Sequence, residues 1–94
     1  MDIAAFQASV TGDVPPKDVG PALRALWHAA KGDWETAHKL AMTDRTEAGS
    51  WVHAYLHRVE GDLDNARYWY RNAGRPEATI SLQKEWRQIA EALL

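Results

Sequence analysis

Apolar residues recur along this chain with helical spacing, three and four positions apart. Leu23, Leu26, Trp27 and Ala30 fall at i, i+3, i+4 and i+7, which places four apolar groups on one face of a helix. Val52, Tyr55, Leu56 and Val59 repeat that spacing in a helix predicted to end near Glu60. Between them the pattern predicts a helix over about 34–43 that buries Trp34, Ala37 and Ala41. After them it predicts one over 63–73 that buries Leu63, Ala66 and Tyr70. A last stripe of Leu82, Trp86, Ile89, Ala90 and Leu93 closes the chain, and Ile3 to Val10 suits a short docking helix.

Polar punctuation separates these stretches. Residues 11–21 hold three of the four Pro and read as a loop, with Pro21 suited to the first turn of the next helix. Gly32-Asp33 and Gly61-Asp62 each pair a helix-ending glycine with an aspartate placed to cap the following helix. Asp44 with Glu47 has the spacing of a capping box, Ser81 is placed to cap the last helix, and Gly74 with Pro76 ends the fourth.

Sliding the chain by 29 residues aligns eight positions in register: Leu23 with Val52, Trp27 with Leu56, His28 with His57, Ala30 with Val59, Gly32 with Gly61, Asp33 with Asp62, Trp34 with Leu63 and Ala37 with Ala66. The expected fold is therefore all-α, with two tandem helix-turn-helix hairpins and a C-terminal capping helix. Residues 1–94 form one domain: an arm and loop over 1–20, hairpins over 21–44 and 45–75, and a cap over 76–94.

The second hairpin carries Gly61, Asp62, Ala66, Tyr70, Ala73 and Pro76. In this it resembles the tetratricopeptide repeat, whose second half reads G-D-x-x-x-A-x-x-x-[aromatic]-x-x-A before a Pro. The resemblance covers about half the chain, with a weaker copy at Gly32, Asp33 and Ala37, and implies a right-handed α-α superhelix that binds protein or peptide. The first helix of each unit departs from the family, its small residue lying at Ala25 and Ala54 without the flanking Leu. The period of 29 is also shorter than the roughly 34 of the family. The stretch WVHAYLHRVEGDLDNARYWYRNAGRP is similar to one in a group of small bacterial proteins, which implies a bacterial cytoplasmic setting and no particular activity.

Composition narrows the chemistry. Apolar residues at 46% and charged residues at 26% suit a packed domain, and five Trp and three Tyr supply large rings to a small core. With no Cys, disulfides, thiolate nucleophiles and Cys-based zinc sites are excluded. The first residues lack a basic leader, no stretch has the roughly 20 apolar residues of a membrane span, and a cytoplasmic protein without a membrane partner is expected. A net charge of −2 with signs mixed along the chain argues against nucleic acid as a partner.

Two constellations remain. His53 and His57, at i and i+4, have the spacing of a two-imidazole chelate, the third ligand coming from His28, Glu60 or a neighbouring chain. At about 100° per residue they lie roughly 110° and 150° from the centre of the apolar stripe, so they are expected at the solvent edge or in a groove. The plainer reading makes them partly exposed helix residues bonded to nearby carboxylates. The other constellation is aromatic. Tyr70 should point inward, Trp69 should pack on the closing helix and Tyr68 should face solvent. Alternatively Trp51, Tyr55, Tyr68 and Trp69 with Arg67 or Arg71 form a protein-binding patch, since Trp, Tyr and Arg dominate interfaces.

Arg67, Arg71 and Arg75 form a basic ridge, most simply a solvated face. Catalysis finds little support. Ser50 near His53 lacks a third orienting group, Asp33 and Asp62 serve as caps, and no glycine-rich phosphate loop is present. The sequence thus points to a non-catalytic interaction module with no cofactor, whose partner is a protein or peptide, itself included as a homodimer. The alternative is a metal or small-molecule site at His28, His53 and His57.

Overall fold

A computed structural model describes all 94 residues. It contains six helices and no strand: α1 (Ile3–Ser9), α2 (Pro21–Ala30), α3 (Trp34–Thr43), α4 (Glu47–Val59), α5 (Leu63–Ala73) and α6 (Leu82–Leu93). None is long and apolar enough to cross a membrane.

The two Gly-Asp corners close in the same way. Gly32 and Gly61 adopt the left-handed conformation, at φ 82° and 83°. The amide of Asp33 donates to His28 O at 3.0 Å and that of Asp62 to His57 O at 2.9 Å, while Gly32 and Gly61 donate to Ala29 O and Arg58 O. This is the Schellman closure, which satisfies carbonyls a helix end leaves free. Each aspartate then caps the next helix, Asp33 accepting from the Thr36 amide and Asp62 from the Asn65 amide. Alanines occupy matching buried positions of the two hairpins, Ala25 with Ala37 in one and Ala54 with Ala66 in the other. Their small side chains allow the paired helices to approach closely.

The α3–α4 corner is built differently from the expected capping box. Thr46 is the N-cap residue of α4, and Asp44 accepts instead from the Thr46 amide and hydroxyl in a tight turn. Gly49, one turn into α4, is packed against that turn: a Cβ there would lie 1.9 Å from Asp44 O.

Helix α4 is the centre of the molecule. Its seven consecutive residues Trp51 to His57 are all buried. Helices α3 and α5 flank it without packing on each other, while α2 and α6 cover another side. Helix α6 lies across α2 and α4 and reaches α1. Trp86 Nε1 donates to Leu26 O at 2.8 Å, and the Trp86 ring stacks on Phe6 at 5.7 Å. Phe6 is wholly buried, so the N-terminal arm is part of the core, where a side chain of this kind stabilises by about 1.5–3 kcal/mol.

The interior is not purely apolar. Glu85 of α6 is 1% exposed, pairs with Arg58 at 3.0 Å and accepts the Tyr70 hydroxyl hydrogen bond. Arg58 also donates to Ile80 O. Burial, then the hydrogen bond to Glu85, pushes the Tyr70 phenol above its ordinary range. Glu85 rather than Leu82 fills the first buried turn of α6, and Leu82 is exposed. Ala30, Val59 and Leu63 are exposed too, because the last turn of α2, the last of α4 and the first of α5 overhang the core at the corners.

Candidate functional site: a three-histidine groove

Helix α4 presents His53 and His57 one turn apart, and both are buried, 4% and 6% exposed, rather than at the solvent edge. The difference arises because α4 is covered on more than one side: the face that a two-helix hairpin leaves open here lies between α3 and α5.

The third imidazole is His38 of α3, not His28. Trp34, one turn before His38, donates through Nε1 to Leu56 O at 2.7 Å and stacks its ring on His38 at 4.7 Å and 11°. An indole tied to the α4 backbone therefore aims His38 at α4. The His38 ring stands edge-on to His53 at 4.5 Å and to His57 at 5.3 Å, and His53 lies 4.8 Å from His57. One ring nitrogen from each of the three lies within 4.8 Å of the others. A tetrahedral zinc with bonds of about 2.1 Å needs nitrogens about 3.4 Å apart, so the three rings would have to draw together to hold one.

Glu60 lies against His57 and outside the three-imidazole cluster. His57 Nδ1 and Glu60 Oε1 are 2.6 Å apart, an arrangement that leaves His57 Nε2 for a ligand and sets the tautomer. His57, Glu60 and Asp62 also form a cluster of ligating type, but Asp62 is committed to the Asn65 amide and side chain.

Burial, and then the neighbouring His38 and His57, holds the His53 pKa down to about 4. His38 is lowered by burial and by His57, with Glu60 acting in the opposite sense. At neutral pH these two rings are uncharged, the form that ligates metal.

Trp69 of α5 lies flat on His53, with ring centroids 3.9 Å apart and planes at 13°, and Tyr68 meets it edge-on at 5.2 Å. Trp69 packs on the floor of the groove, not on α6. It is absent from the interface with the closing helix because α6 crosses α2 and α4 on another side. Beyond His53 the groove opens into a cavity of about 440 Å³, whose lining includes Asp44, Arg45, Ser50, His53, Trp69 and Asn72. Ser50 and His53 share its wall without a hydrogen bond between them, so no nucleophile and base are paired there.

The other candidate residues are dispersed. His28 packs edge-on against Trp27 at 5.1 Å on α2. Trp51 is buried beneath the Arg75 guanidinium, 3.8 Å from its ring centroid, and lines a different cavity from Trp69. Tyr55 is buried, and burial raises its pKa to about 12. Arg67 pairs with Asp64 and Glu77, Arg71 is exposed, and Tyr68 is half exposed. Trp51, Tyr55, Tyr68 and Trp69 thus do not form one surface patch.

Compared with protein-family models, curated proteins and solved structures, the chain matches none.

Proposed function

We propose that this protein binds a divalent transition-metal ion through His38, His53 and His57, with Glu60 holding the His57 ring. Convergence of three imidazoles from two helices carries this reading, since one ring nitrogen of each lies within 4.8 Å of the others. An all-nitrogen donor set suits zinc, and copper or nickel by the same chemistry. Three protein ligands leave one position open, as in zinc sites that bind an exchangeable group. The role is binding rather than catalysis. Calorimetric titration of the intact chain with zinc should give one site, lost in His38→Ala and kept in His28→Ala. An uptake unaffected by His38→Ala would overturn the assignment.

A second reading is an interaction or self-association module of tetratricopeptide-like hairpins. The matched corners at an offset of 29 residues support the repeat, and the exposed Val59 and Leu63 beside the second corner favour contact with another protein or a second copy. Helix α6 covers α2 and α4, so the contact would be made on another side. Sedimentation with and without zinc tests it, and a strict monomer in both conditions counts against the homodimer.

A further inference from the structure

The groove between α3 and α5 extends past the histidines, and its far end carries three donor side chains, Arg45, Ser50 and Asn72, beside one carboxylate. Helix α4 is its floor, contributing Ser50 and His53; Trp69 and Asn72 of α5 form one wall. Arg45, just past the end of α3, lies in the lining and takes part in none of the molecule's ion pairs. The one carboxylate in the lining, Asp44, has an oxygen engaged by both the amide and the hydroxyl of Thr46. His53 belongs to both the cavity and the imidazole cluster, so the two are contiguous.

Charge decides what such a groove accepts. Three neutral imidazoles leave the full double charge of a divalent ion uncompensated, and Glu60 reaches it only through His57. The open position therefore favours an anion over a neutral ligand. The cavity adds one guanidinium, one hydroxyl and one amide beside the Asp44 carboxylate, a balance that suits at most a singly charged planar oxyanion bound to the metal and falls short of the several cations a phosphate dianion attracts. Its volume suits a small molecule.

We infer that the α3–α5 groove binds a small carboxylate, one oxygen of which ligates the metal held by His38, His53 and His57 while Arg45 and Asn72 donate to the anion. This deepens the metal-site reading and rests on it.

Cobalt(II) separates the two claims, because its visible absorption reports its own coordination sphere. The intact chain is loaded with cobalt and titrated with acetate, acetamide and inorganic phosphate. Acetate should change the band positions and intensity, acetamide should not, and phosphate should bind more weakly. Arg45→Gln should weaken acetate about tenfold, the scale of one charge-assisted hydrogen bond, with the cobalt spectrum before acetate unchanged. A cobalt spectrum that acetate leaves unaltered overturns the carboxylate site and spares the metal site. An equal response to acetamide, or a stronger one to phosphate, overturns the ligand class, and an unweakened Arg45→Gln overturns its placement in this groove. Failure to develop any protein-bound cobalt spectrum overturns the metal reading and this inference together.

Discussion

The indole of Trp69 covers one face of the His53 imidazole, with centroids 3.9 Å apart and planes nearly parallel. That contact removes water from a ring whose pKa is already held near 4 by burial and by two neighbouring histidines. Trp69→Ala should let water reach the ring and move its titration midpoint upward, toward the 6.5 of a freely solvated imidazole. An NMR titration of the imidazole protons measures this. An unmoved midpoint would show that the indole is not what dries the ring.

The low pKa of His53 also dictates how the metal-free protein responds to acid. In the folded state it lies below that of the unfolded chain, so between 6.5 and about 4 the unfolded chain binds more protons. Stability from this group is therefore complete above 6.5, falls as the pH falls through that window, and levels off below about 4. The loss should be on the order of 3–4 kcal/mol at most, since each tenfold change in proton affinity is worth ~1.4 kcal/mol. His38, also lowered, adds in the same sense, with His53, His57 and Glu60 the titratable groups near it. Urea unfolding at a series of pH values checks the sign: stability that rises on acidification through this range contradicts it.

Glu60→Ala should leave the fold intact, since Glu60 is an exposed residue at the end of α4, and should lower zinc affinity by about 10- to 100-fold through loss of the His57 orientation. Competition with a chromophoric chelator reads the affinity. Equal affinity in the variant would remove Glu60 from the site.

Two glycines should behave differently when replaced by alanine. Gly61→Ala meets no atom within 4 Å and suffers only from its positive φ, a cost of about 1–2 kcal/mol. Gly49→Ala drives a methyl into Asp44 O at 1.9 Å and should cost about 3 kcal/mol or more, because backbone rather than a flexible side chain must move. Thermal melts of the two variants give the order.

Glu85→Ala should destabilise by about 3–5 kcal/mol, since it strands Arg58, which is only 17% exposed, without its partner. Tyr70→Phe, which removes one hydrogen bond to the same carboxylate, should cost about 1 kcal/mol. Denaturant unfolding of both variants compares them, and similar losses would mean that the ion pair contributes little.

Helix order and most boundaries are legible in the residues because those boundaries carry their own local chemistry: Gly32, Gly61 and Gly74 at positive φ, and Asp33, Asp62 and Ser81 as caps. Tertiary arrangement was less so. The wheel of α4 places His53 and His57 off the apolar stripe, and only the packing of α3 and α5 on that side buries them. His38 is not legible as part of the cluster because no second histidine lies within its own helix; the one local clue is Trp34, a large ring one turn earlier that stacks on it. The buried Glu85 follows the same logic, since its partners Arg58 and Tyr70 are 27 and 15 residues away.

The duplicated corners carry a consequence for stoichiometry. Shifting the histidine cluster back by 29 residues turns His53 into Arg24, His57 into His28 and Glu60 into Lys31, and shifting His38 forward gives Arg67. The cluster straddles the seam where the second helix of one hairpin meets the first helix of the next, and an array of two hairpins has a single seam. On the metal reading proposed above, the two hairpins therefore share one site, and His28, at the position matching His57, is left without companions.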